Sequence, residues 1–257
     1  ISRFNMRLRS PITGQFKDYT GDYVFNNSFL ASSVLAGAPV KAELTNVEPQ
    51  YVKSYDLGYR INGKKTALDI NAYYTEWDNF IAAKNVITPA YTLLGGLAAL
   101  SQRDWQIFSV DSNTNEEVST LGVSASLETA LFEVFDLNLT GSYNKMMAEG
   151  LDPDFETGFN TPQTRFKIGL GSTKLAENFS FNVSAKYHDK YYWQQSGFID
   201  GWIDSNILVD ASVNFALPKI NGNLKVGGIN LGGCEYQLMP GSGYIGSQYY
   251  VGFTLNP

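Results

Sequence analysis

The sequence predicts an all-β fold, an antiparallel β-barrel of the membrane-spanning kind. Three observations predict it. Val118–Ala130 carries Leu121, Val123, Ala125 and Leu127 on one parity and Gly122, Ser124, Ser126 and Glu128 on the other, and Phe135–Tyr143 repeats the alternation with Phe135, Leu137, Leu139 and Tyr143. Period-2 alternation of this length makes two antiparallel strands with one apolar and one wet face. The connections then alternate between short and long along the whole chain, as tight turns and extended loops do at opposite ends of a membrane barrel. Finally, aromatics are abundant (16 Tyr, 16 Phe and 4 Trp in 257 residues), more than a soluble core of this size requires.

Taken in order, the chain offers about ten strands. Arg3–Arg9 is the first, followed by a long irregular stretch, 10–52. Lys53–Ile61 places Tyr55, Leu57, Tyr59 and Ile61 on one face, and Asn62-Gly63-Lys64-Lys65 makes a hairpin turn. Thr66–Ile81 sets Leu68, Ile70, Ala72 and Tyr74 against Asp69, Asn71, Tyr73 and Thr75. A second long stretch, 82–117, leads into the 118–147 hairpin. Beyond the loop 148–162, Thr164–Ser172 sets Phe166, Ile168 and Leu170 against Arg165 and Lys167. Asn178–Tyr187 alternates Phe179, Phe181, Val183, Ala185 and Tyr187 with Ser180, Asn182, Ser184 and Lys186. After 188–204, Ser205–Ala216 repeats the pattern, a turn at 217–222 precedes Asn223–Leu231, and Gln248–Asn256 closes the series. A soluble sandwich has no reason to gather its long loops at one end, although a lipocalin-like barrel does so in part.

Composition excludes several classes. A net charge of −6 and a pI near 4.9 argue against a nucleic-acid surface. No run reaches the ~18 apolar residues of a membrane helix, and that leaves a barrel open because its strands hide their lipid face in alternation. No leader pattern stands ahead of the first strand, so an exported protein with this start has lost its leader or carries it elsewhere. Cys234 is the one cysteine and forms no intrachain disulfide.

Candidate functional residues carry a bland reading beside a specific one. His188, the single histidine, reads as a hydrogen-bonding lumen or surface residue before a ligand or catalyst. Asp152, Asp154 and Glu156 are spaced like calcium ligands but lack a full ligand set; a solvated loop is the simpler reading. Cys234 has no activating neighbour in sequence. The aromatics Tyr191, Tyr192, Trp193 and Trp105, with Trp77 and Trp202, suit an interfacial girdle. The specific reading of Tyr191, Tyr192, Trp193 and Trp105 is a substrate-stacking surface at the extracellular mouth; the girdle is the simpler one, less so for Tyr192 and Trp193, which lie further into their loop. Arg7, Arg9, Arg60, Arg165, Lys167 and Lys186 share the polar parity and are expected to face a lumen or an acidic plug, since an apolar core would not tolerate them. Phe29–Val40 and Leu93–Leu100 are too apolar for free loops and are expected to pack on each other, on a plug or on a partner protein.

Arg9-Ser10-Pro11, Val47-Glu48-Pro49, Leu121-Gly122-Val123, Thr161-Pro162-Gln163-Thr164, Leu224–Leu231 and Gly246–Phe253, in this order, resemble motifs in the C-terminal part of the barrel of TonB-dependent outer-membrane receptors of the Bacteroidetes type. Arg9-Ser10-Pro11 stands where that family ends an ascending strand. Val47-Glu48-Pro49 followed by Lys53-Ser54-Tyr55-Asp56-Leu57-Gly58-Tyr59 is similar to its entry into the next strand, and Ala72-Tyr73-Tyr74-Thr75-Glu76-Trp77-Asp78-Asn79-Phe80-Ile81 to the ascent that follows. Leu121-Gly122-Val123 lacks the family's acidic residue, and Thr161-Pro162-Gln163-Thr164 has Thr for its His. Leu224–Leu231 and Gly246–Phe253 resemble its closing strands. The resemblance implies a barrel of about 22 strands around a plug, of which residues 1–257 supply roughly the last ten as one partial barrel domain. The plug, the TonB box and about twelve upstream strands then lie outside this chain. It further implies the outer membrane of a Gram-negative bacterium, contact with its lipid, coupling to TonB through the plug, no cofactor, and import of a siderophore, vitamin, glycan or peptide. Pro257 in place of a terminal aromatic departs from the family, and the acidic-Pro element of lidded glycan importers is missing before the last strand. Two alternatives stand beside this: a receptor-like barrel serving as partner subunit of a larger outer-membrane complex, and a ten-stranded barrel enzyme of the omptin kind. One histidine argues against the enzyme.

Overall fold

The computed structural model describes residues 5–9, 16–20, 25–26, 42, 44, 46–89, 105–152, 155–194 and 200–255, and they form strands joined by turns and loops. In chain order the first seven strands are β1 (Asn5–Arg9), β2 (Phe16–Thr20), β3 (Phe25–Asn26), β4 (Tyr51–Asn62), β5 (Thr66–Asp78), β6 (Ile81–Pro89) and β7 (Trp105–Asn113). Next come β8 (Val118–Leu131), β9 (Phe135–Ala148), β10 (Phe155–Glu156), β11 (Thr164–Ala176) and β12 (Phe179–His188). The last are β13 (Tyr191–Trp193), β14 (Gly201–Ile203), β15 (Asn206–Leu217), β16 (Gly222–Ile229) and β17 (Gln248–Leu255).

Nine of these strands form one antiparallel sheet in the order β17-β16-β15-β12-β11-β9-β8-β5-β4. Each neighbour in space is also the next strand of this sheet in sequence, an up-and-down meander; β6 and β7, between β5 and β8 in sequence, belong to a second sheet. Through the middle of the sheet the register sets apolar residues opposite apolar ones. Ile61, Leu68, Leu127, Leu139, Ile168, Ala185 and Val209 stand in one cross-strand row. Polar rows run between the apolar ones, so that Asp69 lies opposite Ser126, and Ser126 opposite Thr140. A one-residue slip would move every apolar side chain to the wet face, which is why alternation fixes the register.

The apolar face is not covered by any described residue. Leu57 is 77% exposed, Ile168 50%, Val251 72% and Phe253 54%. A soluble protein would bury such a face, and exposed apolar surface of this extent marks a membrane or protein contact. Aromatics on this face fall at two levels. Tyr55 opposite Tyr74, and Phe166 opposite Tyr187, lie toward the long loops; Phe179 opposite Phe215, and Phe253 on β17, lie toward the short turns. Tyr187 and Phe179 are eight residues apart on β12, as are Tyr143 and Phe135 on β9. Eight residues span about 26 Å along a strand, or roughly 20 Å once tilted by about 40°, close to the apolar band of an outer-membrane barrel.

The short turns behave as the sequence predicts. Gly63-Lys64-Lys65 joins β4 to β5, closed by Gly63 N–H donating to the Thr66 carbonyl at 2.7 Å. Phe132 and Glu133, both with positive φ (51° and 59°), make the β8–β9 turn as a primed turn whose twist matches the strands.

The strands depart from the sequence-based expectation at several places. The stretch 10–52, expected to be irregular, carries β2, β3 and the start of β4, and within the second long stretch, 82–117, β6 and β7 pair over nine positions from Ile81↔Asn113 to Pro89↔Trp105. Apolar residues stand on both parities there (Ala82 and Val86 against Ala83 and Ile87), so no one-face pattern marks a strand. The long third strand also stops at Asp78, where Asn79 takes a φ of 56° and the chain starts β6 afresh. β1 pairs with β2 and with β7 in a second sheet, order β10-β6-β7-β1-β2, and not with the nine-stranded one. The apolar stretches Phe29–Val40 and Leu93–Leu100, and Asp154 of the acidic trio, lie outside the described residues.

A candidate ligand groove on the polar face

The polar face combines two features: a broad concavity toward the short turns and a smaller groove under the long connections. The concavity encloses about 1150 Å³ and is bordered by Lys65, Glu128, Asp136, Asn182, Asn214 and Lys225 among others. Outside this concavity, small residues stand opposite large ones elsewhere on the sheet. Gly122 lies directly opposite Tyr73, whose ring a Cβ at Gly122 would meet at 2.2 Å, and the Tyr73 hydroxyl donates to Asn144 Oδ1 at 3.2 Å. Gly227 makes the same room for Tyr250.

The groove, about 460 Å³, has a floor of two cross-strand rows on β9, β11, β12 and β15. One row reads Ser142, Arg165, His188, Asn206 and the other Thr140, Lys167, Lys186, Leu208. Tyr191 closes one side, and Tyr236, Gln237 and Leu238 of the β16–β17 connection form the roof. That connection is held down by Asn230, fully buried at a φ of 56°. Its N–H donates to Asp210 Oδ1 (3.0 Å), its side-chain amide donates to the Cys234 carbonyl (2.7 Å), and its own carbonyl accepts from Ser247 Oγ (2.6 Å). Asp210 also takes the Lys186 ammonium at 2.7 Å.

The long connections are laced to one another. Lys84, only 6% exposed, reaches Asp152 at 2.8 Å and lies 5.2 Å from the centre of the Phe155 ring. Asn85 donates to Glu156. The ammonium of Lys84 thus supplies the positive charge beside this acidic loop, and among the described residues no cluster of metal-binding side chains occurs. Asn160 makes a reciprocal pair with the Gln194 backbone, accepting from its N–H at 2.7 Å and donating to its carbonyl at 2.8 Å. Gln194 Oε1 accepts from the Thr157 N–H and hydroxyl. Asp189 accepts from the Thr164 N–H through both carboxylate oxygens at 3.0 Å.

The residues singled out in sequence separate here. Arg60, Arg165, Lys167 and Lys186 stand on the polar face; Arg60 pairs with Asp69, and the other three border the groove with His188 and Tyr191. Burial raises the Tyr191 hydroxyl above its ordinary pKa, opposed by the Arg165 guanidinium. His188 Nδ1 is 2.9 Å from the Asp189 carbonyl and its ring meets Tyr191 edge-on at 5.7 Å. Tyr192 points away from this group: its ring stacks edge-on at 5.2 Å with Trp202 across the β13–β14 hairpin, and Lys190 covers Trp202 at 5.4 Å. Trp193 contacts Tyr191 at 6.4 Å. Trp105 opens β7, while Arg7 and Arg9 lie in β1 opposite Asp18 and Phe16; their side chains lie outside the described residues. The girdle reading fails for Tyr191 and Trp77, which stand on the polar side, and the outward bands are built from other Tyr and Phe residues. Sequence reasoning missed Tyr236 and Gln237. The Gly232-Gly233 and Pro240-Gly241 pairs announce a turning loop and not that it folds inward.

A meander with one exposed apolar face banded by aromatics and one concave polar face is the wall of an outer-membrane-type β-barrel. Residues 8–231 match the family model described as TonB dependent receptor-like, beta-barrel, and the chain belongs to that family, whose barrels reside in the outer membranes of Gram-negative bacteria. Solved structures share the fold at low identity. The copper transporter OprC aligns with a TM-score of 0.57 at 13% identity, over 81% of this chain and 31% of its own. The FrpB iron transporter from Neisseria meningitidis gives 0.55 at 12%, over 82% and 31%. The siderophore receptor PirA from Acinetobacter baumannii gives 0.54 at 12%, over 81% and 32%. This chain thus spans about a third of the length of these structures. No curated protein matches the sequence significantly.

Proposed function

We propose that the chain is the C-terminal barrel wall of a TonB-dependent importer of the Bacteroidetes type in a Gram-negative outer membrane, lipid meeting its apolar face. The observation that carries this is the uncovered apolar face backed by a concave polar face, in a chain whose family is that of receptor barrels. In this reading residues 1–257 are one partial barrel domain and a plug from another part of the receptor occupies the 1150 Å³ concavity. Arg60 and Lys167, with Arg7 and Arg9 of the second sheet, line the lumen that the plug fills, and TonB acts through that plug. The long connections, with Tyr191, Tyr192, Trp193 and Trp105, form the extracellular mouth, where a siderophore, vitamin, glycan or peptide first binds. Its role is uptake and not catalysis, in keeping with neighbours described as transporters and receptors. Uptake by cells carrying the full-length receptor tests it. Accumulation of the nutrient ligand that stops when the proton gradient is collapsed is expected; passage that survives the collapse contradicts an energy-coupled importer.

A further inference from the structure

The geometry points to a hollow in the apolar face as a seat for one acyl chain of an anionic lipid, with the lipid's phosphate at Lys145. The inference rests on the barrel-wall reading above and gives that wall one lipid it holds more tightly than the rest of the bilayer.

Shape is the first observation. A hollow of about 500 Å³ opens on the apolar face across β8, β9, β11 and β12. Three small residues, Ala125, Gly141 and Ala185, line it among the larger Leu127, Leu139 and Ile168. Ala125 stands opposite Gly141, and Gly141 opposite Phe166. The Phe166 ring lies over Gly141, where a Cβ would meet it at 3.1 Å. The same ring stacks on Tyr187, with 6.5 Å between centres and 22° between planes. These two rings wall the hollow at the aromatic level nearer the long connections, and the lining is almost wholly apolar. Left empty in a membrane, such a hollow forfeits dispersion contacts; one flexible hydrocarbon chain fills it.

Charge is the second. Burial alone selects no lipid, because acyl chains are as apolar as the hollow. Lys145 supplies the selection. Its row across the strands reads Tyr55, Tyr74, Leu121, Lys145. An exposed lysine thus stands on the apolar face at the depth of an interfacial aromatic belt, where the headgroups lie. It is four residues beyond Gly141 on β9, about 13 Å of strand, so a chain in the hollow brings its head to the ammonium. Lys145 makes no salt bridge to any described residue. Glu76 and Asp78, carboxylates on the same face, stand on β5, two strands away, and Lys53 takes Asp78 at 3.4 Å. An ammonium at the membrane surface without a carboxylate partner favours an anionic head over a zwitterionic one.

The test is native mass spectrometry of the full-length receptor in detergent micelles. The probes are dioleoyl phosphatidylglycerol and, with the same chains and a zwitterionic head, dioleoyl phosphatidylcholine. One retained phosphatidylglycerol per receptor is expected, preferred over phosphatidylcholine about fivefold, the effect of one lysine at a membrane surface. Lys145→Gln is expected to abolish the preference and to leave phosphatidylcholine retention unchanged. Ala125→Phe fills the hollow and is expected to lower retention of both lipids severalfold. Val251→Phe, on β17 of the same face, is expected to change neither. Each variant is accepted only with an unshifted melting temperature; if Ala125→Phe unfolds the receptor, Ala185→Leu replaces it and must also lower retention. Equal retention of the two lipids, or equal loss in the Val251 variant, overturns the seat by showing exchangeable bilayer lipid only. A lipid-free dimer that vanishes with Ala125→Phe overturns it by showing that a second copy fills the hollow. Energy-dependent uptake without selective lipid retention sinks the seat and leaves the importer standing. Selective retention without energy-dependent uptake does the reverse.

Discussion

Arginine placed on either face of β12 separates a lipid-facing wall from any soluble arrangement of the same strands. Val183 lies midway between Tyr187 and Phe179, four residues from each aromatic level, and is 42% exposed on the apolar face. Four residues are about 13 Å of strand, which puts Val183 near the middle of an apolar band of roughly 25 Å. Arginine at that depth costs about 2–4 kcal/mol, a shift of roughly 30- to 900-fold in the folding equilibrium. Ser184, the next residue, stands on the polar face opposite Asp210, where arginine finds water and a carboxylate and is expected to change stability by no more than about 0.5–1 kcal/mol. Reversible guanidinium unfolding of the full-length receptor from lipid vesicles reads both values. A Val183→Arg cost no larger than that of Ser184→Arg refutes the assignment of faces.

Other consequences follow from the packing. Gly122→Ala forces a Cβ into the Tyr73 ring and is expected to cost about 1–3 kcal/mol; a double-mutant cycle with Tyr73→Ala should recover most of it. Asn160→Ala removes both hydrogen bonds to the Gln194 backbone. Proteolysis in 189–205 should then rise severalfold while the barrel's denaturant midpoint stays put. Asp152→Ala leaves the Lys84 ammonium, 6% exposed, without its carboxylate. The expected cost is about 1–3 kcal/mol, below the 3–5 of a fully enclosed pair because Asp152 keeps some access to water, and hydrogen exchange in β6 and β10 should report it.

The wall was legible in the sequence because lipid on one side and water on the other impose a strict two-residue period. Leu137, Leu139 and Phe166, Ile168 show it without any tertiary knowledge, and register follows from it. The long connections obey no such rule. On β6 and β7 one parity packs into a small core, Val86 and Phe108 buried against Leu44 and Val110, while Ala83 and Ile87 on the other parity are apolar too, so no alternation marks the strands. The site divides the same way. Arg165, Lys167 and Lys186 announce themselves by parity, and Tyr191 by its aromatic setting. Tyr236 and Gln237 come over them through left-handed turns at Asn230, Gly233 and Gly241 and the Tyr236–Ile245 bridge, which composition does not mark.

The most direct test of the barrel-wall account is lipid contact along β9 in native-like membranes. In a Cys234→Ser background, single cysteines at 137 through 142 are labelled with an environment-sensitive fluorophore and exposed to lipids brominated in the acyl chain. Strong quenching at 137, 139 and 141, with little at 138, 140 and 142, is the predicted result. Quenching that does not alternate, or that alternates in the opposite phase, contradicts the account.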